Sequence, residues 1–196
     1  MDIVEITPCK QLHLLLIAGS LRQGSVNVAV LRTVQAMAPQ HVNCTLYQRL
    51  QELPHFNPDD DRAPLPEAVA ELRGLMARSH AILFSTPEYA GSLPGAFKNL
   101  LDWSVGGGIH GVRVGWINAS AMGGAQRTYE TLGVVLGYAN ADIIEAACLN
   151  VPVPRSAIGE DGLIADPRIR DVIARGLGSL IGSESEPRHL RDWAPC

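Results

Sequence analysis

The sequence predicts a three-layer α/β sandwich built around a five-stranded parallel sheet, and three observations carry that expectation. Short leucine-rich or β-branched runs alternate with longer amphipathic stretches, the pattern left by successive βαβ units. The chain has 196 residues, 46% of them hydrophobic and 18% charged, enough to bury a sizeable core and close to the size of one domain. A glycine- and serine-rich loop follows the first apolar run, where parallel α/β sheets hold their ligands.

The elements follow in order. Leu12 to Ala18 reads as a buried strand. It is short for a signal core, lies behind acidic Asp2 and Glu5 with only Lys10 as a nearby cation, and ends in a Gly-Ser-Leu-Arg loop. Val26 to Met37 places Val26, Val30, Val34 and Met37 on one helical face, and Val42 to Tyr47 is the second strand. Pro54 to Pro66 is a loop. A helix is expected over Glu67 to Arg78, a strand over Ala81 to Ser85, a helix over Pro94 to Trp103 and a strand over Val112 to Ala119. Gln126 to Tyr138 gives the fourth helix, Asp142 to Leu149 the fifth strand and Ile169 to Ile181 the last helix. One domain over residues 1–196 is expected, with its core at about 12–182 and a polar tail at 183–196.

Composition removes several function classes. Sixteen basic residues are scattered through a chain of net charge -4, so the clustered cations of a nucleic-acid footprint are missing. No apolar run approaches the roughly 20 residues of a membrane helix, which sets the expectation of a cytoplasmic protein with neither nucleic acid nor membrane as partner. Cys9, Cys44, Cys148 and Cys196 are widely spaced with no Cys-x-x-Cys pair, which speaks against a disulfide scaffold and a zinc site. The six histidines do not pair at metal-ligand spacing, and Asn57, Asp59, Asp60 and Asp61 lack the glycine and distal glutamate of a calcium loop. No metal is expected.

The loop Gly19-Ser20-Leu21-Arg22-Gln23-Gly24-Ser25-Val26-Asn27 puts glycines, hydroxyls, an amide and a guanidinium between a strand and a helix N-terminus. Free helix N–H groups and the positive helix end attract an anion there, and Arg22 adds a charge-assisted contact. The alternative is an ordinary polar turn with Ser25 as the helix cap. Gly19 and Gly24 have Walker A spacing, but Ser25 occupies the lysine position. A dinucleotide fingerprint would need a third glycine and an acid at the end of the second strand, where Tyr47 and Gln48 stand. The loop carries no thiol for a cysteine phosphatase, and Gly-x-Ser-x-Gly is absent from the chain. What is left is a cradle for a single phosphate monoester.

After the third strand comes Pro87-Glu88-Tyr89-Ala90-Gly91-Ser92-Leu93-Pro94-Gly95, running on to Lys98-Asn99 and Asp102-Trp103. Together with Gly-Ser-Leu-Arg-x-x-Ser-x-Asn after the first strand, it resembles the NAD(P)H-dependent FMN reductase family, which includes related quinone, azo and chromate reductases. The likeness spans roughly residues 12 to 150 and takes in Leu53-Pro54-His55-Phe56-Asn57. It implies a flavodoxin-like sheet of order 2-1-3-4-5, FMN as cofactor and NADPH or NADH as electron donor. Ser20, Arg22, Ser25 and Asn27 would hold the FMN phosphate. Pro87, Glu88, Tyr89 and Gly91 would run past the isoalloxazine ring with Ser92 nearby, and Ser120 and Gly123 of the loop after strand four would sit beside it.

The implied reaction is ping-pong: hydride passes from nicotinamide C4 to flavin N5, then electrons pass to free flavin, a quinone, an azo compound or a metal oxyanion. No protein acid or base is required, so no catalytic side chain is assigned. The family is usually oligomeric, and a homodimer or homotetramer is expected. A flavodoxin-type electron carrier is the alternative, and a fold that has lost flavin a third. One departure stands out: Gly106-Gly107-Gly108 and Gly111-Val112 replace the family's Lys-Pro before strand four. This link and His110 are expected near the site, where Arg113 or Arg127 could meet a 2′-phosphate.

Overall fold

A computed structural model describes residues 11–182. The first ten residues, with Cys9, and the expected polar tail at 183–196, with Cys196, lie outside the described residues. The strands are β1 (Leu12–Ala18), β2 (Val42–Tyr47), β3 (Ala81–Ser85), β4 (Arg113–Asn118) and β5 (Asp142–Asn150). The helices are α1 (Val26–Met37), α2 (Glu67–Arg78), α3 (Gly95–Val105), α4 (Gln126–Tyr138) and α5 (Pro167–Ile181). All four strand pairings are parallel, in the order β2-β1-β3-β4-β5.

The order follows from alternation along the central strands. Leu15 and Ile17 of β1 pack into one core with Leu72 and Met76 of α2, Leu100 of α3 and Leu132 of α4. Leu14 and Leu16 point to the other face, where Val30 and Leu31 of α1 meet Leu177 and Leu180 of α5. With both faces covered, β1 becomes a continuous apolar run, as buried parallel strands do. Each such leucine or isoleucine contributes about 2 kcal/mol of burial.

Differences from the sequence expectation lie at element ends. Pro94 caps α3 rather than opening it, and the helix runs on to Val105. Two further residues open α5, because the Asp166 carboxylate accepts from the Arg168 N–H and Pro167 suits the first turn. The expected loop at Pro54–Pro66 contains one 3₁₀ turn, Pro58–Asp60. Its start is pinned to α3: the Asn99 amide and the Trp103 indole both donate to the Pro54 carbonyl at 2.8 Å, and Phe56 N–H donates to Asn99 Oδ1. Phe97, Leu100, Leu101 and Trp103 are fully buried, which makes them core.

One expectation is overturned. The glycine-rich link joins the end of α3 to the start of β4, so it lies at the amino edge of the sheet, away from the loops that follow β1, β3 and β4. Gly108 has φ +93°, and a Cβ there would stand 2.9 Å from the Arg73 carbonyl of α2. Gly111 donates its N–H to the Asn140 carbonyl. The link is packed rather than loose, and His110 shares its position far from the site.

Candidate functional site

The first loop leaves β1 through a constriction. Gly19 N–H donates to the Ser85 carbonyl of β3 at 2.9 Å. A Cβ on Gly19 would overlap the Thr86 side chain and stand 2.9 Å from the Phe97 ring, so only glycine lets the two strand ends approach this closely. The loop then enters α1 with Gly24 at φ +64°. Ser25 makes no side-chain cap bond, which removes the reading of it as an ordinary cap. The first α1 N–H to find a helical carbonyl is that of Ala29, bonded to Ser25. The N–H groups before it, at Val26, Asn27 and Val28, have no intrahelical acceptor and keep the positive end of the helix open. No acid occupies the first turn.

Asn27 is buried under this turn, where Ser85 Oγ donates to its Oδ1 at 2.8 Å. Ser20 is half-buried, and its Oγ accepts the Arg22 N–H at 3.3 Å while Arg22 itself is exposed.

The second loop is shaped by a tight turn. Tyr89 and Ser92 exchange N–H···O bonds of 2.9 and 3.1 Å across Ala90 and Gly91, whose φ values are +50° and +75°. Both central residues are left-handed, as a type I′ turn demands. The turn leaves Tyr89 half exposed. Behind it, the Tyr129 hydroxyl lies 3.0 Å from Thr86 N, 2.9 Å from Thr86 O and 2.8 Å from the Ile117 carbonyl, joining the ends of β3 and β4. Burial pushes that hydroxyl's pKa well above the ordinary tyrosine value. Thr128 beside it donates to Glu88 Oε2 at 3.0 Å.

Asn118 organises the third loop. Its amide donates to the Gly124 carbonyl and to Asn150 Oδ1, while its Oδ1 accepts the Ser120 N–H at 3.1 Å. Gly123, at φ +67°, returns its N–H to the Ser120 carbonyl.

The three loops enclose a cleft of about 410 Å³. Of the expected site residues, Asn27, Pro87, Glu88 and Ser120 line it. Ser20, Arg22, Ser25, Tyr89, Gly91 and Gly123 stand on the same loops outside its wall. Sequence reasoning missed Thr86, Val153 and Arg155 in the lining, and Asn118, Thr128 and Tyr129 as supports. The proline-flanked run Val151-Pro152-Val153-Pro154-Arg155 after β5 was the available signal for the fourth wall; pairs 43 residues apart, such as Tyr129 with Thr86, left none.

The family model for NADPH-dependent FMN reductases matches residues 12–153, from the start of β1 to the cleft wall at Val153. The chain belongs to this family. As a member it is an oxidoreductase, and FMN and NAD(P)H are the cofactors that membership implies. It is 28% identical to an NAD(P)H-dependent FMN reductase of Pseudomonas aeruginosa over 84% of this chain and 90% of that one. A quinone reductase of Escherichia coli K12 is 30% identical over 48% of this chain and half of its own length. Among solved structures, the flavoenzyme NAD(P)H:(acceptor) oxidoreductase FerB of Paracoccus denitrificans superposes with a TM-score of 0.68. That match covers 86% of this chain and 96% of FerB at 24% identity, a likeness of fold.

The residues present fit the family's cofactor. An open helix N-terminus with no acid in its first turn suits a phosphate dianion, and the glycine cradle and left-handed turns bring backbone close to a flat ligand. Arg113 does not belong to the site: its Nε and a terminal nitrogen each donate at 3.0 Å to the Leu180 and Ser179 carbonyls at the end of α5. A 2′-phosphate contact there is excluded. Arg127 is exposed near the start of α4 and is not among the residues lining the cleft.

Proposed function

We propose that the chain is a single-domain cytoplasmic NAD(P)H-dependent reductase that holds FMN in the three-loop cleft. It passes electrons on to a small-molecule acceptor: free flavin, a quinone, an azo compound or a metal oxyanion. The carrying observation is the convergence of Asn27, Pro87, Glu88 and Ser120 on one cleft beside an uncapped helix N-terminus. The name of the Pseudomonas aeruginosa relative supports a nicotinamide donor, and that of the Escherichia coli relative makes quinones an acceptor to test. The exposed Val134 and Tyr138 on α4 offer an apolar face for a homodimer or homotetramer.

Ser20, Arg22, Ser25 and Asn27 bind the phosphate. Pro87, Glu88, Tyr89 and Gly91 border the ring, with Tyr89 able to cover one face, and Ser120 and Gly123 approach from the third loop. The chemistry that bound FMN supplies is hydride acceptance at N5 from nicotinamide C4 and delivery of electrons to a second substrate. Backbone N–H groups of the second and third loops other than those bonded within the Tyr89–Ser92 and Ser120–Gly123 turns would stabilise negative charge developing on bound FMN. The Tyr129 and Asn118 bonds hold those groups in place, so little reorganisation accompanies the reaction.

The test is an absorbance spectrum of the FMN-loaded protein under anaerobic NADPH, then NADH. Bleaching of the flavin band is expected, followed by recovery on adding a quinone, with parallel-line ping-pong kinetics. Bound flavin that stays oxidised with both donors would favour the carrier over the reductase.

A further inference from the structure

The fourth wall of the cleft comes from the loop after β5. This loop keeps following the end of β4: Val151 N–H donates to the Asn118 carbonyl at 2.9 Å and Val153 N–H to the Ala119 carbonyl at 3.4 Å. Pro152 and Pro154 restrict it further. A 3₁₀ turn at Arg155–Ala157 follows, with Ala157 N–H on the Pro154 carbonyl. Beyond it, Ala165 N–H returns to the Ala157 carbonyl, and Ile164 N–H donates to Thr33 Oγ1 of α1 at 2.9 Å. The root of Arg155 is thereby fixed against both β4 and α1.

Two charged side chains line the cleft, Glu88 and Arg155. The Glu88 carboxylate accepts from Thr128. Arg155 has no carboxylate among the ion pairs of the described residues, whereas Arg49, Arg73 and Arg168 are paired with acids. Val26 and Asn27, which carry the open N–H groups at the start of α1, line the same cavity. Arg155 and the positive end of α1 therefore line one cleft, an arrangement that attracts a multiply charged anion.

We propose that Arg155 is a second cationic contact for the FMN phosphate, completing from the β5 side the cradle that Arg22 begins from the β1 side. The proposal rests on the reading of the cleft as the FMN site.

The test is titration of wild type, Arg155→Gln and Arg155→Lys with FMN and, in parallel, with riboflavin, read by quenching of flavin fluorescence. Loss of one charge-assisted contact is expected to weaken FMN binding of Arg155→Gln about tenfold. Riboflavin affinity stays at the wild-type level, and Arg155→Lys recovers most of the FMN loss. Equal weakening for FMN and riboflavin would overturn the proposal, as would unchanged FMN affinity accompanied by weaker NADPH binding. A wild-type chain that binds no FMN would remove the site itself; preserved wild-type FMN binding with no phosphate-dependent loss in Arg155→Gln would remove the Arg155 contact alone.

Discussion

The two ends of the sheet use the same residue types for opposite purposes. At the carboxyl end, Gly19 to Asn27 carries glycines and an arginine, and its donors are left over: Ser25 makes no cap bond, Arg22 is exposed and the first N–H groups of α1 lack helical acceptors. At the amino end, Gly106 to Arg113 also carries glycines and an arginine, but its arginine and several of its backbone donors are bonded within the chain. Gly111 bonds to Asn140, and Arg113 bonds to two carbonyls of α5. Arg73 from α2 pairs with Asp61 at 2.7 Å and donates to the Trp103 carbonyl at 2.8 Å. On the proposed reading, a glycine-rich stretch serves a ligand where its arginine and helix N–H groups are uncommitted and serves packing where its arginine is bonded to neighbouring backbone.

The largest effect expected from this contrast is at Gly19. Gly19→Ala overlaps Thr86 and the Phe97 ring, at a cost of about 3 kcal/mol, and should lower the urea midpoint sharply. A wild-type midpoint would break the account of the constriction. Next comes Arg73→Met at the other end. It leaves the mostly buried Asp61 without its cation and should destabilise by about 2 kcal/mol while the FMN dissociation constant stays unchanged. A loss of FMN affinity here would erase the division between the two ends.

Tyr129→Phe sharpens the comparison from the ligand side. It removes the hydroxyl shared by Thr86 and Ile117 and leaves the buried Thr86 N–H unpaired, which costs about 2 kcal/mol. Unlike Arg73→Met, it should also weaken FMN binding, because Thr86 lines the cleft and leads directly into the loop proposed to border the ring. Smaller still, Arg113→Gln should cost about 1 kcal/mol and leave the ratio of NADPH to NADH turnover unaltered.

Much of this was legible in the sequence. Buried strands such as Leu12–Ala18 and amphipathic helices such as Val26–Met37 are local patterns, and their boundaries match the structure. That the loops after β1 and β3 meet at one cleft was legible because the residues of each are contiguous. Position along the sheet was not: the three glycines before β4 look like a site loop until the crossover from α3 shows that they reach the amino edge. The supports were also hidden, since Asn118 to Asn150 and Tyr129 to Thr86 join residues 32 and 43 positions apart. Periodicity carries no information about such pairs.

An effect confined to alkaline solution concerns the thiols of Cys44 and Cys148, which are free and pushed by burial from 9.0 up to about 11. A raised folded pKa means the folded state holds the proton more tightly. Their contribution to stability is therefore complete below pH 9 and is lost as the pH rises through about 11. Denaturation midpoints of a Cys44→Ala/Cys148→Ala variant should fall less steeply than wild type across that window. Equal slopes would show that the two thiols titrate alike in the folded and unfolded chains.

The central claim is that the carboxyl-end cleft, and not the glycine-rich amino edge, receives FMN. Titrating FMN into isotope-labelled protein and following the backbone amide resonances tests it directly. Shifts concentrated at residues 19–27, 86–92 and 118–125, with residues 106–113 unmoved, are the expected result. Shifts centred on 106–113, or FMN binding that leaves 19–27 undisturbed, would contradict the account.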